Sequence, residues 1–216
     1  MVVTSMATSP TSPLTKSTLI IGCGAIAHEL FAVFKANNWS SHIEVQCLPA
    51  EWHNTPDKIV PAIRTKLDTE RSRFKSIFIA YGDCGTGGRL DALLDEPENQ
   101  GIKRLDGDHC YAFFVGTDKF EKIANDDPGT FYLTDYLAAN FDRLILDELG
   151  INDHPELLPM YFGNYNRLVY LSQQDNETLI DKAKQAASTL NLSFEHIHTG
   201  LETFDNALSG VRIVVE

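Results

Sequence analysis

A chain of 216 residues, 43% hydrophobic and 22% charged, is long enough to bury a core without disulfides or structural metals. Its formal net charge of −12 argues against a nucleic-acid binder, because phosphate recognition needs clustered Lys and Arg. No apolar run reaches the roughly 20 residues of a membrane-spanning helix, and residues 1–16, rich in Ser, Thr and Pro, lack the apolar stretch of a signal peptide. The tail 1–16 is expected to be disordered and residues 17–216 to form one α/β domain, in the cytoplasm. Thiols stay reduced there, so the four cysteines point to metal binding or catalysis rather than disulfides.

Residues 17–22 are predicted to be a short buried strand, and 28–37 carry Leu30, Phe31, Val33 and Phe34 at helical spacing. Ile43–Leu48 alternates Ile, Val and Cys47 with polar residues, a second strand in which Cys47 reads as core. A helix is expected over 56–73, with Thr55 as N-cap and Pro56 at the first position. The run 76–81 is continuously apolar and stops at Gly82, as in a strand buried on both faces. A short helix over Arg89–Leu94 and a brief strand over 101–105 follow. Residues 110–125 turn helical, and 133–150 read as a longer amphipathic helix ending at Gly150. Arg167–Ser172 is the fifth predicted strand, Glu177–Leu190 a helix, 194–198 the sixth strand and 211–215 a seventh. Strands alternating with helices imply βαβ units, hence a single doubly wound, mostly parallel sheet with helices on both faces. The stretch 110–165 is expected to lie as a helical cap over the strand ends.

Cys23, Cys84 and Cys110 each follow an apolar, strand-like run, and His53 follows another. In an open parallel sheet, residues at the carboxyl ends of strands converge on one crevice. Cys84 lies in Tyr81-Gly82-Asp83-Cys84-Gly85-Thr86-Gly87-Gly88, where glycines free the backbone and amides at the next helix start would favour a thiolate. The amides of Gly85, Gly87 and Gly88 could also cradle an anion, although no Lys-Ser/Thr follows as in a P-loop. Cys110 is the better ligand of the pair His109-Cys110, with His109 tuning it or moving protons. Glu29, at the start of the first helix, is a candidate base.

Cys23, His53, Cys84 and Cys110 are therefore expected to share one ion. Such a scattered Cys/His set suits zinc with one position open for chemistry. Three cysteines could instead hold an iron–sulfur cluster with one open iron. Gly129-Thr130-Phe131-Tyr132 follows an Asp127-Pro128 turn and is expected to project as a loop, bringing the Tyr132 hydroxyl to the Cys84 crevice or packing the cap onto the sheet.

Taken in order, Cys23-Gly24, Glu29, His53-Asn54-Thr55-Pro56, Tyr81-Gly82-Asp83-Cys84-Gly85, His109-Cys110 and Gly129-Thr130-Phe131-Tyr132 resemble a bacterial and archaeal family known as a domain of unknown function. Its members are often encoded near corrinoid-dependent methyltransferases. The resemblance covers residues 18–140, and many members carry Arg-x-His-Asp-Cys where this chain has Asp106-Gly107-Asp108-His109-Cys110. It implies a setting in one-carbon or methylated-amine metabolism, with a corrinoid or a methyltransferase protein as partner.

Two readings follow. In the first, the chain is a metal-dependent enzyme, a transferase or hydrolase, acting on a small polar substrate with Glu29 or His109 handling the proton. In the second, it is a non-catalytic accessory that binds a metal or cofactor for a corrinoid methyltransferase system. An accessory would expose an apolar docking patch, for which Phe113-Phe114 and Phe131-Tyr132 are the candidates.

Overall fold

A computed structural model describes residues 16–211. The chain is α/β, and its parallel strands divide between two sheets. The first sheet comprises β1 (Thr18–Cys23), β2 (Ile43–Leu48), β3 (Ser76–Ala80) and β4 (Lys103–Arg104), in the order β2-β1-β3-β4. Between them run α1 (Ala27–Ala36), α2 (Ile59–Glu70) and α3 (Arg89–Leu94). Next come α4 (Cys110–Val115) and α5 (Thr117–Asp126), broken from one another at Gly116, whose φ is 92°. The second sheet comprises β5 (Thr130–Leu133), β6 (Arg167–Ser172) and β7 (Ser193–His198), with β6 central. Its helices are α6 (Asp135–Ala139), a π-helical turn over Asp142–Asp147, α7 (Leu158–Phe162) and α8 (Glu177–Leu190). A last helix, α9 (Glu202–Ala207), returns to α4 beside the first sheet.

The apolar runs 19–21 of β1 and 77–80 of β3 have a direct physical cause. Successive side chains of a strand point to opposite faces, and here both faces are covered. Ile20, Phe78 and Ala80 pack with Leu30 and Phe34 of α1 and with Phe113, Phe114 and Phe204. Leu19, Ile21, Ile77 and Ile79 pack on the other side with Ile59, Ile63 and Leu67 of α2 and Leu90 and Leu93 of α3. In the same way β6 sends Leu168 and Tyr170 towards α6 and α8, and Val169 and Leu171 towards Val115 and Tyr132.

The stretch 110–165 is thus more than a helical cap. Its residues Phe113 and Phe114 belong to the core of the first sheet, Val115 to that of the second, and it contributes β5. The projecting loop expected at 129–132 is this strand, paired with β6 in the register Thr130↔Arg167 to Leu133↔Tyr170. The amphipathic helix expected over 133–150 begins two residues later and is interrupted after Ala139. Thr134 caps α6 by accepting a hydrogen bond from the Leu137 amide. Thr55 makes no corresponding cap, and residues 56–58 are a 3₁₀ turn before α2.

Cys47 is exposed, not core, because β2 is the edge strand of its sheet. The seventh strand expected at 211–215 lies outside the described residues except for Val211, which ends a helical turn. No helix among the described residues is long and apolar enough to cross a membrane.

Candidate functional site

Residues from several separate segments surround one cavity of about 30 Å³ where the carboxyl ends of the two sheets meet. The first sheet's side supplies Cys23 at the end of β1, His53 after β2, Tyr81 and Cys84 after β3, and Cys110 and Tyr111 at the start of α4. The second sheet's side closes it with Thr134, Tyr136 and Leu137, following β5, and Leu144 of the π-helical turn. The space admits an ion with one or two waters, not a large ligand. Among the described residues, no three Cys, His, Asp or Glu side chains stand at ligating distance from a common point. The four expected ligands therefore line the same cavity but are not drawn together around one ion.

The Cys84 turn is held by its neighbour. The Asp83 amide donates to the Gly107 carbonyl at 3.0 Å and the Cys84 amide to the Asp108 carbonyl at 2.8 Å. These bonds lace the turn to the segment that leads into Cys110. Cys84 itself has φ of 49°, a left-handed conformation that costs a non-glycine residue roughly 1–3 kcal/mol and recurs at functional sites. Gly82 is required by close approach, since a Cβ there would lie 2.7 Å from the Gly107 carbonyl oxygen and 3.0 Å from Phe113 Cζ. Gly82→Ala is expected to destabilise the protein by about 1–3 kcal/mol. Urea unfolding checks this, and an unchanged midpoint would show that the Gly107 segment yields without cost.

The expected anion cradle is already filled from within. Asp83 Oδ2 accepts from the Gly87 amide at 2.9 Å, while Oδ1 accepts from the Gly88 amide at 2.8 Å and from Thr86 Oγ1 at 2.7 Å. Partial burial opposes Asp83 ionisation, but these bonds outweigh it and hold the carboxyl below its usual range. Gly85, Gly87 and Gly88 all take positive φ in this turn, and the amides of Gly87 and Gly88 serve Asp83 rather than an external phosphate.

Nor does the turn favour a thiolate. Burial, then the neighbouring Cys23, pushes the Cys84 thiol up to about 12. Burial raises Cys110 well above its ordinary value, with Cys84 and Cys23 adding to it, and it raises Cys23 as well. The Cys23 sulfur accepts from the Ala25 amide at 3.4 Å. These are protonated thiols that a thiophilic cation would have to deprotonate on binding. The buried Tyr81 hydroxyl stands beside Cys23 outside regular hydrogen-bond geometry and has no other partner.

His53 lines the cavity with one side open to solvent. Surrounding protein atoms, and then nearby His109, hold its pKa below the ordinary imidazole value, which favours the neutral, ligating form. His109 is exposed at the start of α4 and does not line the cavity.

Glu29 is buried, at 4% exposure, with Oε2 unpartnered, and it faces an adjoining cavity with Asp135 and Tyr136. Tyr136 forms the wall common to both cavities. Burial raises the Glu29 carboxyl to about 7, and Asp135 contributes to the rise.

Tyr132 does not reach the sulfur cavity. Its ring packs against Tyr111 and Phe120, and its hydroxyl is buried near Thr130, at the amino end of β5. Phe131 packs edge-on against Phe162 and Tyr165. Both side chains are packing, and with Phe113 and Phe114 buried, neither apolar pair offers the docking patch of an accessory protein. Tyr81, Tyr111 and Tyr136 are the aromatic lining that sequence reasoning missed. The usable signal was local for Tyr81 and Tyr111, which adjoin the Cys84 turn and Cys110, but Tyr136 required knowing that β5 is a strand.

The chain belongs to the family described as "Protein of unknown function (DUF1638)", whose model matches residues 47–208. That span holds His53, Cys84, Cys110 and the whole second sheet, whereas Cys23 and Glu29 precede it. No curated protein and no solved structure matches the chain.

Proposed function

We propose that the protein is a metal-dependent enzyme, with zinc bound by Cys23, Cys84, Cys110 and His53, acting on a small polar substrate. The observation that supports this is the gathering of these four side chains from four separate segments around one cavity at strand carboxyl ends. Their chemistry suits the ion: three thiols and an imidazole held in its neutral form are a zinc donor set. When bound with a position open, such an ion lowers the pKa of a coordinated water or thiol.

The protein's own groups handle what remains. The Tyr81 hydroxyl, buried without a partner beside Cys23, is free to donate to a ligand or to a sulfur that has lost its proton. Glu29, with a carboxyl near neutrality behind the Tyr136 wall, can hold or release a proton at physiological pH. The aromatic lining excludes water and strengthens charge interactions inside the cavity. The resemblance to a family encoded near corrinoid methyltransferases is the reason to try one-carbon compounds and methylated amines first as substrates.

Metal analysis of protein purified without oxygen tests the reading. About one zinc per chain is expected in the sulfur cavity, with Cys84→Ser or Cys110→Ser removing most of that equivalent and Cys47→Ser, on the exposed sheet edge, keeping it. Equal loss from Cys47→Ser and Cys84→Ser, or no metal taken up on reconstitution, would sink the proposal. Iron with acid-labile sulfide in place of zinc would transfer it to the cluster chemistry.

A further inference from the structure

We propose a second cation site, built from imidazoles, at the carboxyl end of the second sheet: His196, His198 and Ser172 bind a divalent transition metal ion of the zinc, nickel or copper type. The two histidines lie two positions apart on β7, so their side chains share one face of the sheet. Ser172 ends β6 and pairs in register with His198. His196 Nε2 and His198 Nδ1 each stand 2.9 Å from the Ser172 hydroxyl oxygen, so two ring nitrogens from alternate positions of one strand converge on this oxygen.

Several features hold the pair in place. The His196 ring stacks on Tyr170 at 5.2 Å with planes 16° apart, and Tyr170 is fully buried. Ser172 is also fully buried, and its carbonyl accepts from both the amide and the hydroxyl of Thr199. The strand β7 is a sheet edge and both imidazoles are exposed, so a hydrated ion has free access. The location obeys the same rule as the sulfur cavity, with ligand groups at the carboxyl ends of parallel strands.

The chemistry balances without a co-reactant. A serine hydroxyl has one proton to give. With both rings neutral, one ring nitrogen accepts that proton and the other donates its own N–H to the oxygen. A cation needs both lone pairs, so the donating ring moves its proton to its other nitrogen and no net proton is released. The ligand class follows from the donors. Two imidazoles and a hydroxyl suit borderline transition ions, whereas magnesium and calcium prefer carboxylates and carbonyls.

The test is cobalt(II) and zinc titration of the chelator-treated full chain, by equilibrium dialysis and absorption spectroscopy. His196→Ala/His198→Ala is expected to lower affinity for one equivalent of ion by at least about tenfold, leaving any thiolate-to-cobalt absorption from the sulfur cavity unchanged. His198→Gln alone, at an exposed position, gives the same direction of change should the double variant fold poorly. Wild-type binding by the folded double variant, or an equal loss from His42→Ala/His154→Ala, would overturn the proposal. The absence of thiolate absorption in every protein would count against the sulfur site alone, which keeps the two readings separable.

Discussion

Replacing Asp135 by alanine is expected to cost roughly 3–5 kcal/mol of stability, because a buried anion would vanish from among donors arranged around it. Asp135 is 4% exposed and begins α6. Its Oδ1 accepts from the Tyr170 hydroxyl at 2.7 Å and the Gln173 amide at 3.1 Å, and its Oδ2 accepts from the Gln174 amide at 2.9 Å. Its own amide donates to Gln173 Oε1 at 2.9 Å. The carboxylate thereby ties the start of α6, and with it the Thr134–Leu137 wall of the sulfur cavity, to the end of β6. Alanine leaves the Tyr170 hydroxyl and the Gln173 amide buried without acceptors, while the exposed Gln174 amide can turn to water. Asparagine keeps one acceptor oxygen, so Asp135→Asn should lose about half as much. Equilibrium urea unfolding measures both. A loss under about 1 kcal/mol for Asp135→Ala would mean that water enters and replaces the carboxylate.

Glu29→Gln is expected to stabilise the protein at alkaline pH and to make little difference at acidic pH. The Glu29 carboxyl rises from an ordinary 4.5 to about 7 in the folded state, chiefly through burial and then through Asp135. A raised pKa means that the folded state holds the proton more tightly than the unfolded one. The associated stability is fully present below about pH 4.5 and is lost as pH climbs through about 7. The full difference corresponds to about 3 kcal/mol. Glutamine is a neutral isostere that removes this dependence, so the two proteins should match near pH 4 and diverge progressively to pH 8. Denaturant midpoints across that range provide the check. A gap of constant size at every pH would assign the effect to packing and not to the ionisation of Glu29. The same titration bears on function, since a group that changes charge near neutrality beside the sulfur cavity will appear in the pH profile of any activity found there.

Much of this molecule could be read from local pattern. Unbroken apolar runs at 19–21, 77–81 and 168–171 mark strands covered on both faces, because only burial on both sides removes the usual alternation. Glu177–Leu190 was legible at both ends, since Asn176 caps its first turn and Asn191, at φ 57°, ends it in the left-handed conformation. Chain polarity also explains why Cys23, His53, Cys84 and Cys110 line one cavity, because residues after parallel strands lie on one side of a sheet, although among the described residues they do not close around a common point.

The remaining features depend on long-range contacts. Strand pairing is a long-range choice, and nothing local says that β5 joins β6 and not β3. This choice made two sheets and brought Tyr136 and Leu144 over the cysteines. Cys47 alternates like a core residue, yet its strand has a neighbour on one side only, so the thiol is exposed. Gly87 and Gly88 look like an anion cradle until the Asp83 side chain is seen to fill it. Whether a polar group is spent inside the fold or left for a ligand depends on which neighbours reach it, and those neighbours come from contacts that no short window of sequence contains.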